Sequence, residues 1–87
     1  MTLFKGKRCE LDIINDILSY AKKDIKKTRL LYKTNLSYTT FCKYTNFLIN
    51  RKFLGIKNGK PSGNLYYTTE NGKKLIHNIN QLMKQLR

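Results

Sequence analysis

Acidic side chains are scarce: five in 87 residues, against 18 lysines and arginines, for a formal net charge of +13. Four of the five, Glu10, Asp12, Asp16 and Asp24, precede residue 25, so residues 25–87 hold 13 basic side chains and only Glu70. A shortage this segregated points to a polyanionic partner, because counterion release from nucleic acid supplies a strong, sequence-independent attraction. Solubility alone needs a net charge of only about 2 to 8 in a small domain. The few carboxylates also speak against an enzyme. Asp12 and Asp16 share a helix face, but the sequence sets no nucleophile or metal-ligand motif beside them, so an acid/base role is not expected.

Cysteine is rarer still. Cys9 and Cys42 are too few and too far apart for a disulfide framework, and no C-x-x-C pair opens a zinc site. Reduced thiols in a cytoplasmic protein are expected, with Cys42 half-buried. The single histidine, His77, has no ligand neighbour at i+4 and is expected in solvent, so neither a metal nor any other cofactor is anticipated. No apolar run is long enough to span a bilayer, and the start, Met1 to Arg8, carries Lys5, Lys7 and Arg8 but no apolar signal region. Peripheral membrane attachment through the terminal helix is a weak reading, because its apolar stripe is narrow and lacks Trp and Phe. A chain of this length makes one domain with a thin core, burying about 60 to 65% of its unfolded surface.

What is present is helical periodicity and turn chemistry. Glu10 to Lys22 places Leu11, Ile14, Leu18 and Ala21 on one stripe with Ile17 alongside, opposite Asp12, Asp16, Ser19 and Lys23. A short second helix is expected within Ile25 to Thr34, with Thr28 as its N-cap, followed by Asn35 as a turn residue able to take positive φ. Ser37 caps a third helix running to about Arg51, with Phe41, Tyr44, Thr45 and Leu48 on one face. Two short helices around a tight turn make a helix-turn-helix pattern. Phe53 to Lys57 and Leu65 to Thr68 are β-compatible runs around Asn58, Gly59, Lys60, Pro61, Ser62, Gly63 and Asn64, which is all turn chemistry; this hairpin is a wing. From Thr69 as N-cap to Arg87 the chain forms a last helix, with Leu75, Ile79, Leu82 and Leu86 along a seam and Ile76 and Met83 beside it.

The run KKTRLLYKTNLSY, residues 26–38, resembles the signature of the archaeal winged helix-turn-helix family typified by the small 10-kDa "a" chromatin-associated DNA-binding proteins. The similarity continues through Tyr44, Leu48, Tyr67, Thr69, Gly72 and Leu75, and covers about residues 8 to 80. It implies DNA binding and dimerisation through the C-terminal helix. Two departures stand out: the terminal helix is shorter than that family's coiled-coil arm, and the wing, with GKPSGN, is longer than their tight turn.

The expected fold is therefore mainly α with a small β-hairpin, a winged helix-turn-helix in the order α-α-α-β-β-α with a C-terminal dimerisation helix. Residues 1–9 are expected as a basic N-terminal tail, 10–68 as the DNA-binding domain and 69–87 as the dimerisation helix. Projection at 100° per residue puts Thr39, Lys43, Asn46 and Asn50 opposite the Phe41/Leu48 face, so Tyr38, Thr39, Thr40, Lys43 and Asn46 are the candidate base contacts. Lys26, Lys27, Arg29, Lys33 and Ser37 are candidates for the DNA backbone, and Lys57, Asn58, Lys60 and Asn64 for wing contacts. Leu75, Ile79, Leu82, Met83 and Leu86 are the candidate dimer interface. Tyr32, Tyr44 and Tyr67 are expected in the core with their hydroxyls at the rim, leaving Tyr38 and Tyr66 free, which makes single-strand stacking a minor reading. The function expected is double-stranded DNA binding by a homodimeric transcriptional regulator, cytoplasmic and nucleoid-associated, with no small-molecule ligand evident. The alternative is an architectural, chromatin-type or plasmid-partition-type protein of low selectivity.

Overall fold

A computed structural model of the chain describes residues 10–59 and 63–86. The elements run α1 (Glu10–Tyr20), β1 (Ile25–Lys26), α2 (Lys27–Thr34), α3 (Tyr38–Asn50), β2 (Leu54–Gly59), β3 (Gly63–Thr68) and α4 (Glu70–Leu86). The mainly helical fold and its wing are as expected, with one strand added. Instead of a two-stranded hairpin there is a three-stranded antiparallel sheet in the order β1-β3-β2, with Ile25 opposite Tyr66 and Lys26 opposite Leu65. Two residues are too short to carry a period-2 signal, but they turn Ile25 into the core and Lys26 out.

Local chemistry sets the element boundaries. Glu10 and Asp12 occupy the first turn of α1, where the helix dipole favours negative charge. At the other end of α1, Thr68 staples two carbonyls: its N–H donates to Ala21 O at 2.9 Å and its hydroxyl to Leu18 O at 2.6 Å. The cap of α2 is Lys26, in extended conformation and without a side-chain bond, so Thr28 lies inside the helix and does not cap it. Asn35 closes α2 in the left-handed region at φ 55°, where Asn is among the few side chains that settle readily. Ser37 caps α3 by accepting from Thr40 N. Beyond Arg51, Lys52 takes φ 64°, its N–H donating to Ile49 O and that of Phe53 to Leu48 O, a Schellman closure.

The core is one cluster in which Ile17, Leu18, Leu30, Phe41, Leu48 and Leu54 are the largest fully buried apolar side chains, each such burial stabilising by about 1.5 to 3 kcal/mol. Along α1 the buried stripe is Ile13, Ile17 and Leu18, continued by Ala21 in the turn after it; Leu11 and Ile14, expected on the stripe, are half-buried. The tyrosines also sort differently from expectation. Tyr66 is buried, because the pairing of β3 turns it to the core with Ile25, while Tyr32 is 84% exposed on the outer side of α2. In α4 the buried positions are Gly72, Ile76 and Ile79, packed toward α1, and Leu75 is half-buried. Thr69 caps this helix, accepting from Gly72 N at 3.0 Å and donating to Lys52 O at 2.7 Å. A side chain at position 72 would overlap the carbonyl of Phe53, so only glycine lets α4 start there.

Candidate nucleic-acid interface

The third helix supplies the interface its frame. Phe41, Thr45 and Leu48 are buried, and the Thr45 hydroxyl returns to Phe41 O at 2.9 Å. Thr39, Lys43, Asn46 and Asn50 stand exposed on the opposite side. That face offers hydrogen-bonding groups at successive turns of a helix held at both ends by caps, the arrangement that base edges in a major groove require. Tyr38 is exposed at its N-terminus, whereas Thr40 is half-buried and its Oγ1 accepts from Ser37 Oγ at 2.9 Å. Ser37 and Thr40 are thus engaged with one another as part of the cap.

Lys27 connects the two helices of the motif. Its Nζ donates to the Tyr38 hydroxyl at 3.0 Å and lies 5.0 Å from the centre of that ring. The hydrogen bond to Tyr38 holds the Lys27 ammonium above its ordinary value of 10.5. Its positive charge sits at the junction of α2 and α3.

The four cations expected on the DNA backbone do not form one row. Lys26 and Lys27 line a groove of about 330 Å³ with Thr28, Asn64 and Tyr66, between the start of α2 and the wing. Arg29 and Lys33 line a second groove, of about 440 Å³, with Tyr20, Lys23 and Asp24, where Lys33 lies 5.5 Å from the Tyr20 ring centre. The cause is helical phase: Arg29, two residues after Lys27, sits 200° around α2 from it. Lys26 borders both grooves.

On the wing, Lys57, Asn58 and Asn64 are exposed, with Asn58 and Asn64 directly paired across the hairpin. Lys60 lies outside the described residues. Lys57 is not a free cation: its Nζ is 2.5 Å from Asp24 Oδ2 and 5.5 Å from the Tyr67 ring centre. Sequence reasoning missed Asp24 as a partner, although its place as the last acid before Glu70 was a signal. It also missed Phe47, exposed beside the polar face of α3 with the Arg51 guanidinium 5.1 Å from its ring centre.

The expected dimer residues divide along α4. Ile79 is 4% exposed, inside the chain's own core, and Leu75 and Met83 are half-buried, while Leu82 (43%) and Leu86 (40%) face solvent. Among the described residues no group of three His, Cys, Asp or Glu could hold a metal ion, and no helix is long and apolar enough to cross a membrane.

Known proteins fit this geometry. Residues 7–87 match the family model described as winged helix-turn-helix. The solved structure of Sso10a-2, a DNA-binding protein from Sulfolobus solfataricus, superposes with a TM-score of 0.77 at 30% identity, covering 88% of this chain and 80% of that one. SSV1 F-93 shares the fold, with a TM-score of 0.70 at 21% identity over 92% of each chain. No curated protein matches the sequence.

Proposed function

The chain belongs to the winged helix-turn-helix family, and we propose that it binds double-stranded DNA as a homodimeric transcriptional regulator in the cytoplasm. The observation that carries this reading is the exposed polar face of α3, Thr39, Lys43, Asn46 and Asn50, beside the Lys27–Tyr38 junction on a chain of net charge +13. Its relative Sso10a-2 is a DNA-binding protein, which supports the same partner here.

In this reading α3 enters the major groove. Lys43 donates to guanine O6/N7 or a phosphate, Asn46 pairs with adenine N6/N7, and Tyr38 and Thr39 flank them. Lys26, Lys27 and the start of α3 at Ser37 meet phosphates and fix the register without carrying sequence information. Asn58 and Asn64 reach the minor groove or backbone from the wing. Two chains join along the exposed end of α4, through Leu82, Leu86 and the half-buried Met83, and present two recognition helices about 34 Å apart or a multiple of that. No catalytic role is assigned to any residue.

The second reading, architectural binding with little selectivity, is favoured by the size of the positive charge. Selection of bound sequences from random DNA, followed by footprinting at physiological salt, separates the two. A short protected palindrome supports the regulator; continuous spreading with no enriched sequence supports the coat. A salt response of log affinity flatter than about −4 to −7 would remove the phosphate contacts proposed for four to eight cations.

A further inference from the structure

The outer side of the three-stranded sheet carries an arrangement that stability does not explain. Lys57 on β2, Leu65 on β3 and Lys26 on β1 are direct cross-strand partners and so face the same way, which sets the two lysines two strand spacings, about 9 to 10 Å, apart. Asp24, immediately before β1, reaches across to Lys57. Tyr67 lies against Gly55, where any larger residue would collide with its ring, and so provides the surface on which the Lys57 ammonium rests. The side chains of Lys57 and Asp24 are 50% and 41% exposed, and ion pairs of that exposure contribute little to the stability of a fold. The pair is therefore easily opened by a competing anion, and Asp24 also borders the groove of Lys23, Lys26, Arg29 and Lys33 as its one carboxylate among the lining residues.

We infer that Asp24 is an internal stand-in for a DNA phosphate, which withdraws Lys57 from the phosphate contacts of the wing and so sets the affinity of the protein for duplex DNA below what its cations would otherwise give. This rests on the DNA-binding reading. Three features carry it: the pairing is at hydrogen-bond distance, it joins a wing cation to an acid in the turn before β1, and the acid is the last one before Glu70. A phosphate that reaches Lys57 competes with a carboxylate already seated there. Duplex that does not press the base of the wing against its backbone therefore gains nothing from this lysine.

The test is a double-mutant cycle on duplex DNA affinity, measured across a salt series with the full chain. Asp24→Asn keeps the size of the side chain and removes its charge. The expected result is tighter binding by about two- to fivefold at low salt, with the slope of log affinity against log salt steeper by about 0.9, the value of one added phosphate contact. In a Lys57→Ala background the gain disappears, because nothing remains to be released. Glu70→Gln, which removes an acid paired instead with Lys73, gives the effect of net charge alone. An Asp24→Asn affinity and slope equal to wild type overturns the inference while leaving DNA binding intact. So does a gain that persists without Lys57 or is matched by Glu70→Gln, since Asp24 would then act only by general repulsion. Wild-type protein that shows no salt-dependent duplex binding at all overturns the DNA reading itself, and this inference with it. Circular dichroism melts of each variant separate loss of fold from loss of contact.

Discussion

The third and fourth helices are both amphipathic, yet they dispose of their apolar faces differently. In α3 the stripe of Phe41 and Leu48 is fully buried, and what is left outside is polar apart from Phe47 and Tyr38. In α4 the buried positions, Gly72, Ile76 and Ile79, end near the middle of the helix, and Leu82 and Leu86 face solvent. A 17-residue helix is about 25 Å long, more than a thin domain can cover. One helix therefore offers groups suited to a polar ligand and the other offers surface suited to an apolar partner. The contrast suggests that recognition and assembly are separable by mutation.

The strongest way to break the contrast is Phe41→Ala. Emptying a fully buried aromatic site is expected to cost about 3 to 5 kcal/mol, a large share of the stability of so small a domain, and thermal denaturation should show the whole chain destabilised. Leu82→Glu should do the reverse. Helical content by circular dichroism is retained, sedimentation shows monomer where wild type at micromolar concentration shows dimer, and DNA affinity falls by about 10²-fold as the second half-site contact is lost. A wild-type monomer that binds its site tightly would erase the distinction drawn for α4. Within α3, Lys43→Ala and Asn46→Ala should each remove about 1 to 3 kcal/mol of discrimination in competition assays. Lys27→Ala should weaken all sequences alike and flatten the salt slope by about 0.9. The smallest effect is local: Ser37→Ala should cost about 1 kcal/mol in chemical denaturation through loss of the α3 cap.

Features whose cause is local were legible in the sequence. Asn35, Ser37 and Thr69 declare their turns and caps by their own side-chain chemistry, and each stands where it was expected. Features decided by a distant partner were not. The strand β1 exists because β3 has an edge to pair with, and nothing in Ile25 and Lys26 alone reveals that. The side of the sheet that Tyr66 and Tyr67 take depends on the register against β2, which a one-residue shift would reverse. In α4 the stripe through Leu75 and the stripe through Ile76 are equally periodic; the second packs because Gly72 sets the rotation of the helix. The site shows the same division: the polar face of α3 and the parting of Lys27 from Arg29 follow from helical phase, whereas the capture of Lys57 by Asp24 belongs to the tertiary arrangement.

The contact of Gly72 with the Phe53 carbonyl has a mechanical consequence. That carbonyl also accepts the Thr69 N–H, and Thr69 in turn donates to Lys52 O, so the first turn of α4 is clamped to the chain leaving α3. The fourth helix is thus a stiff spar with no hinge at its root, and its angle to α3 is fixed before any partner arrives. If two chains join at the far ends of their spars, the torsional phase between their recognition helices is fixed as well. One inserted base pair turns the second target by about 34 to 36°. The pair should therefore tolerate base changes in the spacer between its targets far better than a change in that spacer's length.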